Sequence, residues 1–206
     1  MAVKLTKNEQ KKQKDQLKQY QRYLPTLQLK KQQLQSVIMG IEVERKKLKI
    51  QQKELVNGMQ DWIAVYAENR AFGPEKDLST LVQVDRVVRE TGNIAGVMIP
   101  VFKELTFKEI EYNLNDYPLW IDQGIVTLRD YAKFDAIIST LDIQIKMLSK
   151  ELRTTSQRVN LFEKVKIPEA KTNIKKIAVY LGDEMSAAVV RGKIAKGKKV
   201  AAGGSV

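Results

Sequence analysis

The chain contains no cysteine and no histidine. Those two absences together remove disulfides, thiol chemistry, Cys/His zinc sites and histidine acid–base catalysis. A reducing, cytoplasmic location fits them. Long apolar runs are also missing. The longest stretch without a charged residue, Thr91 to Phe102, is twelve residues, whereas a membrane-spanning helix needs about 20. The first residues, Met1-Ala2-Val3-Lys4, open a lysine-rich stretch with no apolar core, unlike a signal peptide. Gly192-Lys193 and Gly197-Lys198 lack both the following Ser/Thr and the upstream strand of a phosphate-binding loop. No carboxylate pair stands apart from the helical surface pattern. The sequence therefore offers no catalytic, cofactor-binding or metal-ligating residues, and the chain does not read as an enzyme.

What is present is heptad order. From Leu17 to Tyr66 the 3-4 spacing passes through Leu34, Ile38, Ile41, Leu48 and Leu55, broken only by Lys31, Arg45 and Gln52. A second seam runs from Tyr131 through Phe134, Ile138, Leu141, Ile145, Leu148, Leu152 and Val159 to Phe162. A stripe held this long must be buried against another helix, and two such helices in one chain can bury each other. The polar breaks have two readings: long side chains snorkelling out of the seam, or devices that fix register.

The first helix should start near Thr6, because Thr6-x-x-Glu9 has the form of a capping box, and should stop before Gly73-Pro74. Pro25 predicts a kink or a frayed start. Between 78 and 112 the period changes, and β-branched residues on both sides of Thr91-Gly92-Asn93 predict a β-hairpin turning there. Pro100 marks an edge or a bulge in its second strand. Such a hairpin reads as a cap for the end of a rod or, alternatively, as a docking edge for a partner. Trp62, Phe102 and Trp120 read as core. The second long helix should run from Val126 to Ile167, meet Pro168, and resume to Val190. At 1.5 Å per residue both long helices measure roughly 95 Å.

The expected fold is thus mainly α: a long antiparallel two-helix coiled coil from the N- and C-terminal segments, with a small central β-hairpin domain. Residues 1–72 form the first helix, 73–125 the central segment, 126–190 the second helix, and 191–206 a basic, disordered tail. The net charge of +12 is uneven. Residues 1–55 carry +9, residues 71–125 carry −4 and the last 21 carry +5. Antiparallel helices would bring the two basic ends, including Lys7, Lys11, Lys12, Arg191 and Lys193, to one tip. A basic coiled coil that binds nucleic acid or scaffolds another complex is one reading of that charge, although no aromatics alternate with the lysines for base stacking.

Three segments give a sharper reading. Asn93 to Phe102 contains Gly96-Val97, Pro100 and Val101. Arg158-Val159-Asn160-Leu161-Phe162-Glu163 is followed by Ile167-Pro168. Thr172 to Ile177 precedes Leu181-Gly182-Asp183-Glu184. Together these resemble the D subunit of the V-type/A-type rotary ATPases and ATP synthases, in a helix–hairpin–helix order that covers almost the whole chain. Lys31-Gln32-Gln33-Leu34 and Phe162 depart from the family pattern. The resemblance implies a non-catalytic central-stalk rotor, present once per complex. It also implies a tip inserted in the hexamer of catalytic and nucleotide-binding subunits, a small F subunit, and a docking subunit of the membrane sector as partners. The function implied is coupling of ATP hydrolysis or synthesis to proton or sodium transport, in the cytoplasm and peripheral to the membrane.

Overall fold

The computed structural model describes residues 3–68, 78–113, 117 and 120–203, with side chains left aside at 60–68, 78–79 and 200–203. Trp62, Tyr66, Gly73-Pro74 and the last three residues, each given a role above, lie outside the described residues or side chains.

Helix α1 (Lys7–Glu68) begins as its capping box directs: the Glu9 N–H donates to Thr6 Oγ1 at 3.3 Å. It continues through Pro25 as one helix of 62 residues. The Thr26 hydroxyl there donates to Tyr23 O at 2.7 Å. The single turn α2 (Leu78–Leu81) precedes the strands β1 (Val84–Ile94) and β2 (Val97–Phe107). Helix α3 (Ile121–Asn160), a π-helical stretch (Leu161–Lys166) and α4 (Ile167–Gly203) then follow without a break.

Several expectations are corrected. The hairpin turns at Ala95-Gly96, with φ of 52° and 79°, not at Thr91-Gly92-Asn93. A two-residue loop with both φ positive matches the twist of the strands it joins. The Asn93 side chain holds it, its Oδ1 accepting from the Gly96 N–H at 3.0 Å. Gly92 lies inside β1 opposite Ile99, in a place where a Cβ would stand 2.9 Å from Val101 Cγ2. The second long helix starts five residues before Val126, at Ile121. It also outruns the first: its stretches of 40, 6 and 37 residues face the 62 of α1. The basic tail is helical to Gly203, because Ala, Lys and Arg dominate it and all favour helix.

The chain divides into two compact units. The second, residues 32–153, packs α1 against α3 along the predicted seam. Leu34, Ile38 and Ile41 meet Leu141 and Leu148 in one buried cluster, with Leu48, Ile145 and Leu152 half-buried beside it. The hairpin does not cap this coil. It lies on the flank, with Ile99 buried in the same cluster and Ile94, Ala95 and Val97 against it. A lone two-stranded hairpin is marginal in water, so burial of its inner face in the coil is what makes it stable. A second cluster, Leu81, Ile121 and Ile125, gathers Ile110, Tyr112, Tyr117 and Trp120 at the start of α3. The first unit, residues 1–31 and 154–206, packs α1 against the end of α3, the π stretch and α4. Val159, Ala170 and Ile177 are buried there, and the Tyr20 and Phe162 rings stack with centroids 5.3 Å apart.

Candidate functional site

In the second unit the hairpin is fixed to α3 by polar contacts as well as by Ile99. Thr140 and Gln144 are buried polar side chains on α3. Thr140 donates to Ala136 O at 2.8 Å and accepts from Arg89 Nε at 3.1 Å. Gln144 Nε2 donates to Pro100 O at 2.5 Å. Toward the start of α3, the Arg129 guanidinium lies 5.6 Å from the centre of the Phe107 ring. Residues 129, 140 and 144 of α3 thus meet residues 107, 89 and 100 of the hairpin. The strands therefore run alongside the helix, and they cover Thr140 and Gln144 where water would otherwise reach them. Across the coil, Arg45 occupies its seam position by pairing Nη1 with Asp142 Oδ1 at 2.5 Å. Both partners are partly exposed, so the pair adds about 0–1 kcal/mol and mainly fixes which residues face each other. Arg45 Nε and Gln52 Nε2 are buried without a protein acceptor, which makes this the polar break in an otherwise apolar seam.

Among the described residues two groups have shifted titration. The hydrogen bond from the Tyr112 hydroxyl to Asp122 Oδ1, at 2.5 Å, raises the phenol above its ordinary value. Glu90 raises Lys103 through their ion pair across the two strands.

In the first unit a groove of about 440 Å³ runs between α1 and α4, lined by Lys4, Glu9, Lys12 and Gln16 on one side and Lys166, Glu169 and Asn173 on the other. Lys12 is the member of the predicted basic set that faces it; Lys7 and Lys11 are exposed on α1. Arg191 and Lys193 lie farther along α4 in the same unit. From Gly182 to Lys199 every residue of α4 is exposed. This stretch carries Asp183-Glu184, then the uncharged Met185-Ser186-Ala187-Ala188-Val189-Val190, then five cations from Arg191 to Lys199. Met185, Val189, Val190 and Ile194 are each more than half exposed. At 100° per residue the six uncharged positions cover the whole circumference of the helix.

The family-motif residues fall at structural joints. Gly96 is in the turn, Val97 packs on the buried cluster, and the Pro100 carbonyl accepts from Gln144. Val159 is buried, Asn160 ends α3, Glu163 lies in the π stretch, Ile167 opens α4 and Pro168 follows it directly. Sequence reasoning missed the π stretch and the flank docking by Arg89, Thr140 and Gln144. The first had a signal, a slip of one residue in apolar spacing between Phe162 and Ala170. The second had none, since polar residues beside a heptad seam read as solvated surface. Among the described residues no cluster of His, Cys, Asp or Glu could hold a metal ion, and no helix is long and apolar enough to cross a membrane.

Residues 9–197 match the family model of the ATP synthase D subunit. The chain is 50% identical over 194 residues to the V-type ATP synthase D subunit of Borreliella burgdorferi, covering 94% of this chain and 93% of that one. It is 33% identical over 199 residues to the V-type ATP synthase D subunit of Chlamydia muridarum, covering 95% of each. To that of Chlamydia abortus it is 34% identical over 199 residues, 95% of this chain and 93% of the other.

Proposed function

Because this chain belongs to the family of ATP synthase D subunits, we propose that it is the non-catalytic central-stalk shaft of a V-type ATPase or ATP synthase. The observation that carries this reading is the exposed end of α4. A helix without charge on any side belongs inside other protein, yet Met185 to Val190, apolar but for Ser186, are exposed on every side. Burying them takes a partner that encircles the helix. A hexamer of catalytic and nucleotide-binding subunits is such a collar, and the cations Arg191 and Lys193, with Lys7, Lys11 and Lys12 on α1 of the same unit, belong to the inserted tip. The second unit then binds the small F subunit and the docking subunit of the membrane sector.

The shaft makes and breaks no bonds. Its work is mechanical: a single chain inside a ring presents a different face to each successive site, so turning it imposes different conformations in sequence. ATP hydrolysis in the ring turns the shaft and drives proton or sodium transport. Ion flow in reverse turns it to make ATP. The paired helices and their interlocked seam supply the stiffness that torque requires.

The test is Met185→Asp with Val189→Asp in the assembled complex. Both positions are exposed, so the melting temperature of the chain should stay the same. Coupled ATP-driven transport should fall at least tenfold, since two carboxylates would enter an apolar bearing. A complex that keeps wild-type coupling with both substitutions refutes insertion of this end. Co-purification of the chain with ATPase subunits in high salt separates the shaft from a nucleic-acid-binding coiled coil, whose binding salt would abolish.

A further inference from the structure

The 3-4 rhythm of α3 reaches Val159 and Phe162. Continued unbroken, it selects Lys166, Glu169, Asn173 and Lys176. The buried residues are Ala170 and Ile177, whereas Glu169 and Lys176 are exposed. One extra residue therefore lies between the two stripes. The π stretch Leu161–Lys166 takes it up, and the Ile167 N–H reaches back five residues to Phe162 O. A single-residue bulge of this kind leaves the flanking helices facing as before, so removing the residue would move no buried side chain. Nothing in the bulge is itself fully buried. Pro168 follows, with no N–H to give and a ring that crowds the carbonyl of Lys164. On the other helix of the same unit Pro25 takes a second donor out of the ladder, five residues after the Tyr20 ring that stacks on Phe162. Because the helices run antiparallel, Pro25 and Pro168 lie on opposite sides of the stacked rings, about three helical turns apart, with the π stretch between them, and both backbones are weakened along that section of the coil.

We propose that this section, the π stretch with Pro168 on one helix and Pro25 on the other, is a compliant joint at which the coil twists and bends more readily than on either side. The stacked Tyr20 and Phe162 rings keep the helices together there while the backbone ladder gives. In the shaft, such a joint lets the inserted end lag or lead as torque builds; that use of the joint rests on the proposed function, whereas the compliance itself does not.

The experiment compares the full chain with a variant lacking Val165 and carrying Pro168→Ala. Val165 is exposed, and the variant restores an unbroken heptad. Hydrogen exchange of the free chain should run about tenfold faster at amides 162–167 than at 148–159. The variant should erase that difference and melt higher. Should the deletion fail to fold, Pro168→Ala alone, which keeps every residue in place, should slow exchange at 164–167 in the same direction. Equal protection at 162–167 and 148–159 in the unaltered chain overturns the joint, and so does a folded variant that melts lower. In the ATPase complex the stiffened variant should change turnover at least twofold with assembly intact; unchanged turnover overturns the mechanical use. A chain that never enters an ATPase complex refutes the shaft and leaves the exchange result standing.

Discussion

Replacing Ile99 with alanine tests the assembly of the second unit at its most exacting point. Ile99 is 1% exposed and joins β2 to the seam formed by Leu34, Ile38, Ile41, Leu141 and Leu148. The substitution removes three carbons, worth about 2.4 kcal/mol in transfer alone at roughly 0.8 kcal/mol each. A cavity walled by two helices collapses poorly, and the total should reach about 3–4 kcal/mol. The two-stranded hairpin has no core of its own, so the loss should fall first on its docking. Urea unfolding followed by circular dichroism measures the global cost. Hydrogen exchange across Val84–Phe107 should accelerate by about two orders of magnitude while the amides of α1 and α3 change less. Met98→Ala, at a neighbouring position that is 61% exposed, should cost no more than about 0.5 kcal/mol. A loss below about 1 kcal/mol for Ile99→Ala, with unaltered exchange in the hairpin, would refute the claim that burial on the coil stabilises the hairpin.

Gly92→Ala should destabilise by about 1–3 kcal/mol through the clash with Val101, and Val101→Ala in the same chain should recover most of it in urea melts. Thr140→Val removes the acceptor of the Arg89 guanidinium, which is itself exposed, and should cost about 0.5–1.5 kcal/mol, while Thr140→Ser, which keeps the hydroxyl, should cost less by the same measurement. The raised Tyr112 pKa means the folded state holds this proton more tightly than the unfolded chain does. Its contribution to stability is therefore complete below about pH 10 and is lost as pH rises through the folded pKa; Asp122→Asn should lower the midpoint of phenolate absorbance. The Lys103–Glu90 pair follows the same sign above the ordinary lysine value, and Glu90→Gln should lower the Lys103 midpoint followed by NMR.

Much of the fold is legible in the order of residues. Thr6 caps α1 by accepting from the Glu9 N–H as the spacing dictates, and Leu34, Ile38, Ile41, Leu141 and Leu148 bury themselves as the heptad requires, because a 3-4 apolar stripe has one stable partner, another helix. The family was legible too, in Gly96-Val97 with Pro100 and in Val159-Asn160 with Ile167-Pro168. Local rules failed where two signals competed. Gly92-Asn93 and Ala95-Gly96 both offer a turn; the register that buries Ile99 admits only the second.

The sequence alone determined two long helices, a hairpin between them and a chain without histidine or thiol chemistry, since composition and periodicity act through nearest neighbours on one element. Only the tertiary structure decided that the hairpin lies along the coil, held by Arg89, Thr140 and Gln144. It alone placed the surplus residue between Phe162 and Ala170 in a π turn and left Gly182 to Lys199 uncovered. The docking and the uncovered end depend on which surface another element reaches, and no periodicity within a single helix encodes that; the π turn is how the backbone absorbs a one-residue slip that the apolar spacing does carry.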